Sequence, residues 1–332
     1  MARAVREKMV PLLDVYCREH DLGLGTAPSR LSEVFRIIAR EQYRHLRPIL
    51  DRLTQAGIPV VLIKGADLDL AVYKQAFPRV MGDIDILIRP PDAPPVMEVF
   101  RSQGFIQGKL DKSSLQMVPL GDAEKAEFEE GSIELAEFAK LVKVPDLLPF
   151  QDVIAEHLSY WRMTPLQDEF YLVVGYDIHI HLSLEIDLQD VWCNLRTIDA
   201  PEVGRCLGQS FTDMAWYLAV RFYHELHINN AFVMRGFLDV LAILHHHHER
   251  LDWERIAEIA RKYSLQPALF YTMWHANELL GPLVPPSLLE ALCPATSGTE
   301  RGHDWGDFVP KMLGSVQLTP ILEPPDLPTA RP

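Results

Sequence analysis

Cysteine is scarce in this chain. Only Cys17, Cys193, Cys206 and Cys293 occur among 332 residues, and no two of them form a Cys-x-x-Cys pair. That spacing gives neither a disulfide framework nor a cysteine zinc site, and it is what reduced thiols in a cytoplasmic protein look like. Long apolar runs are missing too: none approaches the roughly 18 residues that a membrane-spanning helix requires, so no membrane association is expected. Residues 1–16 carry basic side chains but only a brief apolar stretch, broken by Asp14, which does not fit a signal peptide. Positive charge is in deficit, with 32 Lys and Arg against 46 Asp and Glu, a net charge of −14. A long track on nucleic acid needs clustered cations to neutralise phosphates, so no extended nucleic-acid surface is expected. A local basic pocket for one nucleotide is still compatible with this balance.

Hydrophobic residues make up 48% of the chain and charged ones 23%, the composition of a folded protein long enough to bury a sizeable core. Leu31, Val34, Phe35 and Ile38, then Leu46, Ile49, Leu50 and Leu53, recur at helical spacing up to Gly57. Residues 1–57 are therefore expected to form an N-terminal helical layer. An α/β (α+β) core with a mixed sheet is expected over 58–200, a C-terminal helical bundle over 201–292, and a Pro-rich tail outside the core over 293–332. The bundle would contain helices over 214–227, 231–247, 253–263 and 267–280, each with an apolar stripe. Between Gly121 and Glu137 the acids Glu124, Glu127, Glu129, Glu130, Glu134 and Glu137 read as a solvated loop or helix face.

The chemistry concentrates between residues 58 and 88. An apolar, β-branched run over 58–63 reads as a strand that ends in Lys64-Gly65-Ala66, followed by a short helix over 66–76. A second strand is expected over 82–88, containing Asp83-Ile84-Asp85-Ile86. Alternation sends Asp83 and Asp85 to one face, about 7 Å apart, and Ile84, Ile86 and Ile88 to the other. Two acids on one face of an otherwise apolar strand repel each other unless a cation lies between them, which suits a divalent metal. A Gly turn followed by Asp-x-Asp on the next strand is the layout of a nucleotidyltransferase, in which backbone amides take a triphosphate and carboxylates take Mg²⁺. A second alternating stretch over 171–186 places Asp177, His179, His181 and Glu185 on one polar face.

Taken together, Leu62-Ile63-Lys64-Gly65-Ala66, Tyr73, Arg79, Asp83-Ile84-Asp85, Gly104-Phe105, Asp177-Ile178-His179 and the helical C-terminus resemble a known family. It is the uncharacterised nucleotidyltransferase family NTP_transf_5, within the DNA polymerase β-like nucleotidyltransferase superfamily. Leu218, His224, Arg235, Leu238, Asp239 and Ala242 extend the resemblance, which covers roughly residues 30–290. The resemblance implies that Asp83 and Asp85 hold Mg²⁺ (or Mn²⁺) against the triphosphate of an NTP. Asp177 would complete a second metal site and help deprotonate the acceptor. Lys64, Gly65, Ala66, Arg79 and Gly82 are the expected nucleotide-binding residues, with His179 and His224 toward substrate. Two positions depart from the superfamily pattern: Ala66 follows Gly65 where Gly or Ser is usual, and Gly82 stands where serine is common. The expected reaction transfers a nucleoside monophosphate to a small molecule and releases pyrophosphate. Modification of tRNA or protein, and a non-catalytic nucleotide-binding regulator, are the alternatives.

Overall fold

The structure is a computed structural model, and it describes residues 4–5, 8–23, 25–73, 78–158, 162–166, 169–227 and 234–294. The chain divides into two compact units, the first from Met1 to Met214 and the second beginning at Ala215. The first unit opens with helices α1 (Val10–Glu19) and α2 (Ala27–Gln55). The apolar stripe expected from spacing is the buried face of α2, with Leu31, Val34, Leu46 and Ile49 fully buried. Gly57, at φ +71°, follows the helix in the left-handed conformation, and the Ile58 amide closes back on the Leu53 carbonyl at 2.9 Å. Glycine adopts that conformation at little cost, so it ends the helix there.

Strand β1 (Val61–Leu62) follows, then α3 (Lys64–Leu68), which runs on as a π-helical turn over Asp69–Tyr73. The helix expected over 66–76 thus starts two residues earlier, and its expected end at 74–76 lies outside the described residues. Next come β2 (Ile84–Leu87), α4 (Ala93–Ser102), β3 (Ile106–Asp111), β4 (Gln116–Pro119), α5 (Asp122–Glu129) and β5 (Phe138–Lys143). After α6 (Gln151–His157), β6 (Met163–Leu166) leads into β7 (Glu169–His179). The short α7 (Leu188–Trp192) then precedes the hairpin of β8 (Leu195–Ala200) and β9 (Gly204–Gln209).

Among the described residues the sheet has nine strands in the order β4-β3-β5-β7-β2-β1-β9-β8, with β6 on β7. It is mixed: β2 runs parallel to β7 and β1 parallel to β9, whereas β1 and β2 are antiparallel. One face packs on α2 through Leu62, Ile84, Ile86, Ile88, Tyr176 and Ile178, which share a core with Val34, Ile38, Leu46 and Leu50. The Tyr176 hydroxyl donates to the Gln42 carbonyl at 2.9 Å, tying the helical layer to the central strand. Burial of both faces explains why the central strands read as apolar runs interrupted only by the acids.

Three expectations are corrected. The alternating stretch over 171–186 is a strand only as far as His179, and Leu184 and Glu185 are exposed beyond it. The chain is not helical from 202 onward, because β9 enters the sheet beside β1. The strand expected over 82–88 is shorter, so Asp83 precedes it.

In the second unit, helix α8 (Phe211–His227), which begins in the first unit, is followed by α9 (Met234–His247), α10 (Trp253–Lys262), α11 (Gln266–Leu280) and α12 (Pro286–Leu292). The Phe222 and Phe237 rings stack at 5.2 Å and those of Tyr223 and Tyr271 at 6.1 Å, joining α8 to α9 and to α11. Asp252 caps α10 by accepting from the Arg255 amide at 2.9 Å. No helix among the described residues is long and apolar enough to cross a membrane. All four cysteines are free, and burial pushes the Cys206 thiol up to about 12. The expected tail over 293–332 lies outside the described residues from 295 onward.

Candidate active site

Strands β2 and β7 lie side by side with Asp85 opposite Asp177. Their neighbours Ile84, Ile86, Tyr176 and Ile178 enter the core, so alternation sends both carboxylates out of the opposite face. Asp83, two residues before Asp85, joins them. One carboxylate oxygen from each of the three lies within 4.8 Å of the others.

Each acid meets a different fate. Asp83 is held by Arg162, whose Nη2 donates to its Oδ2 at 2.9 Å. Asp85 is 7% exposed and accepts from Lys64 Nζ at 2.6 Å, with His179 Nε2 at 3.0 Å from the same oxygen. Burial alone would raise the Asp85 carboxyl, but the Lys64 ammonium and the His179 hydrogen bond outweigh it and hold it well below the usual range. Asp177 has no cationic partner among the described residues. Burial, and then the charges of Asp83, Asp85, Glu137 and Glu134, push its carboxyl up to about 8. Carboxylates this crowded repel one another, and a divalent cation among them would relieve that repulsion. An all-carboxylate set of hard oxygens fits Mg²⁺ or Mn²⁺ better than a soft metal.

The other expected nucleotide-binding residues gather at the end of β1. Lys64 is buried and adopts φ +53°, the left-handed region a non-glycine residue rarely enters. Gly65 and Ala66 are buried in the first turn of α3. A Cβ on Gly65 would stand 2.5 Å from Arg79 Nη1 and 3.2 Å from Met81 Cγ, so glycine is required for Arg79 to lie over the turn. The Arg79 amide donates to Asp69 Oδ1 at 2.8 Å, and Tyr43 donates to Asp69 Oδ2 at 2.7 Å. Gly82 is buried, and its carbonyl accepts from Gln42 Nε2 at 3.4 Å. Behind the turn, Asp67 of α3 is buried against Arg196 of β8 and accepts from the Gln209 amide at 3.0 Å. Burial drives the Asp67 carboxyl up to about 7, Arg196 opposing.

Of the two histidines expected toward substrate, His179 is fully buried among these groups, 3.0 Å from Lys64 Nζ. His224 is exposed and belongs to the second unit. His181 lies just past the end of β7. Lys64, expected at the nucleotide, has its ammonium 2.6 Å from Asp85 Oδ1.

Sequence reading missed Arg162, Glu134 and Glu137. The two glutamates belong to the stretch read as solvated, and α5 at its start is indeed exposed. Its last residues turn inward: Glu134 Oε2 lies 3.2 Å from His179 Nε2, and Glu137 Oε1 lies 2.5 Å from Arg162 Nη2. Gly175 on β7 makes the room, because a Cβ there would fall on both Glu137 and Arg162. A glycine inside an apolar strand was the available signal, since it marks a close approach.

No protein of curated function matches the chain. The model of one family, described as uncharacterised nucleotidyltransferase (NTP_transf_5), matches residues 2–281. The mixed sheet, the Gly turn and the three converging aspartates thus stand inside the matched span, and the chain belongs to this nucleotidyltransferase family.

Proposed function

We propose that this protein is a Mg²⁺-dependent nucleotidyltransferase that moves a nucleoside monophosphate from an NTP to a small-molecule acceptor and releases pyrophosphate. The observation that carries the proposal is the convergence of Asp83, Asp85 and Asp177, whose carboxylate oxygens lie within 4.8 Å of one another. Asp83 and Asp85 would hold the metal, and Asp177 would complete a second position. Bound there, divalent metal supplies charge stabilisation for in-line displacement at the α-phosphorus. The chain's own residues then have separate tasks. The Gly65 and Ala66 amides and the Arg79 guanidinium bind the β- and γ-phosphates, and Gly82 leaves the approach to Asp83 free of a side chain. Lys64 holds Asp85 ionised, so that its oxygens are ready as ligands. Asp177 is placed to help deprotonate the acceptor hydroxyl. His179 orients Asp85. The acidic net charge favours a small acceptor over tRNA.

The Lys64–Asp85 ion pair supports one rival, a nucleotide-binding regulator without catalysis. Thermal stability with each NTP, with and without Mg²⁺, tests the first requirement of both. A nucleotide at 100 times its Kd adds about 2.7 kcal/mol, roughly 5–10 °C in a unit of this size. The expected result is a Mg²⁺-dependent shift with one NTP that is lost in Asp85→Asn. Pyrophosphate release by the wild type, absent in Asp83→Asn and Asp85→Asn, decides between enzyme and regulator. No shift with any NTP would sink the proposal.

A further inference from the structure

The segment 133–137 lies against the end of β7, where the Leu135 amide donates to the Ile178 carbonyl at 2.9 Å and Glu134 bridges His179. Farther along, Phe138 pairs with Tyr176. Between these two pairings the glutamate-bearing segment advances four residues while β7 advances three. The extra residue is a bulge, and it has a consequence for side-chain direction. In a regular strand, residues three apart point to opposite faces. With one residue inserted, Glu134 and Glu137 both reach the face that carries the aspartates.

Each glutamate then meets a different aspartate through one intervening side chain. Glu134 Oε2 is 3.2 Å from His179 Nε2, which is 3.0 Å from Asp85 Oδ1. His179 Nε2 thus stands between the two carboxylates, with the Lys64 ammonium also 3.0 Å away. Glu137 Oε1 is 2.5 Å from Arg162 Nη2, which donates to Asp83 Oδ2 at 2.9 Å. His179 is 1% and Arg162 2% exposed at the side chain, so neither has room to swing away. Partners outside the ligand set commonly fix the orientation of metal ligands, and losing one typically weakens metal binding about 10–100-fold.

We propose that Glu134 and Glu137 are positioning residues for the metal ligands, Glu134 setting Asp85 through His179 and Glu137 setting Asp83 through Arg162. The proposal rests on the metal-site reading above. It assigns a purpose to the bulge, which re-aims two acids, and to Gly175, which gives the Glu137–Arg162 pair its space.

Mn²⁺ alone is the probe, titrated into the full-length protein and followed by the electron paramagnetic resonance signal of the free ion. Wild type should bind Mn²⁺ and Asp85→Asn should not. Glu134→Gln and Glu137→Gln should each weaken binding tenfold or more while melting within a few degrees of wild type. Glu134→Asp and Glu137→Asp keep the charge but withdraw the carboxylate by one methylene, and they should weaken binding as the glutamine variants do. Glu130→Gln, an exposed change on the same acidic stretch, should stay within twofold. If the glutamine variants bind like wild type, the positioning role is wrong while the metal site stands. Weak glutamine variants with normal aspartate variants would also overturn it, because the effect would then be one of charge alone. Absence of Mn²⁺ binding to wild type overturns the metal site and the proposal together.

Discussion

At the scale of single residues, Lys64 carries two costs. Its backbone holds φ +53°, and its ammonium is buried against Asp85 and His179. A left-handed conformation costs an L-residue about 1–2 kcal/mol, a penalty glycine escapes. Lys64→Gly and Lys64→Ala both delete the ion pair, so their difference isolates the backbone. Lys64→Gly should be the more stable by about 1 kcal/mol in urea denaturation. An alanine variant as stable as the glycine one would remove the case for strain. Both variants should lose the Mg²⁺-dependent stabilisation by NTP, since Asp85 then lacks its counterion. The aspartates themselves were legible in sequence because Asp-x-Asp on a strand has a fixed geometric meaning, and Asp177 because it opens a polar face beside apolar neighbours. Arg162, Glu134 and Glu137 were not. No linear spacing marks a guanidinium that reaches Asp83 from 79 positions further along the chain. In its local context Glu137 is indistinguishable from the solvated glutamates before it.

Elements were legible where one periodicity dominated. Helix α2 and its Gly57 terminus follow from spacing alone, since a long apolar stripe admits few other readings. Strand β9 did not, because Gly-Arg-Cys-Leu-Gly-Gln has no β-branched residue; Gly208 sits where Asp67 packs, and a side chain there would clash. The overextended reading of β7 has a different cause. Alternation continues to Ile186, but pairing with β2 ends at His179, and pairing rather than pattern defines a strand. The register of β5 on β7, with Ala139 opposite Gly175, delivers Glu137 to its place. A Cβ at Gly175 would strike the Glu137–Arg162 pair, so Gly175→Ala should destabilise by about 1–3 kcal/mol through overpacking. In a Glu137→Ala background, half of the obstacle is gone and the same change should cost at least ~0.5 kcal/mol less. Additive costs in that double-mutant cycle would mean that the glycine serves something other than the pair.

For the molecule as a whole, these acids make stability depend on pH in a definite sense. An ordinary aspartate titrates near 4 in the unfolded chain. In the folded protein Asp177 is pushed up to about 8 and Asp67 up to about 7, in both cases chiefly by burial. Between the unfolded and folded values the native state binds protons that the unfolded chain has already lost, so stability falls as pH rises through that window. Asp85 works in the opposite direction, but only at pH values below the usual carboxylate range, where its stabilising pairs are lost as it protonates. Metal-free protein should therefore melt higher at pH 6 than at pH 8. Divalent metal changes the balance at Asp177 alone. Its carboxylate must be ionised to serve as a ligand, so binding at pH 7 releases a proton, and affinity rises with pH. The stabilisation gained from Mg²⁺ should thus be larger at pH 8 than at pH 6, partly flattening the pH dependence seen in chelator. The slope due to Asp67 should survive metal, because Arg196 and the Gln209 amide, not the metal site, surround it. Melting temperatures at the two pH values, in chelator and in Mg²⁺, give all four quantities. A metal-free protein that melts higher at pH 8, or a Mg²⁺ gain equal at both, would show that Asp177 is already ionised in the empty site. The crowding of carboxylates would then no longer argue for a cation.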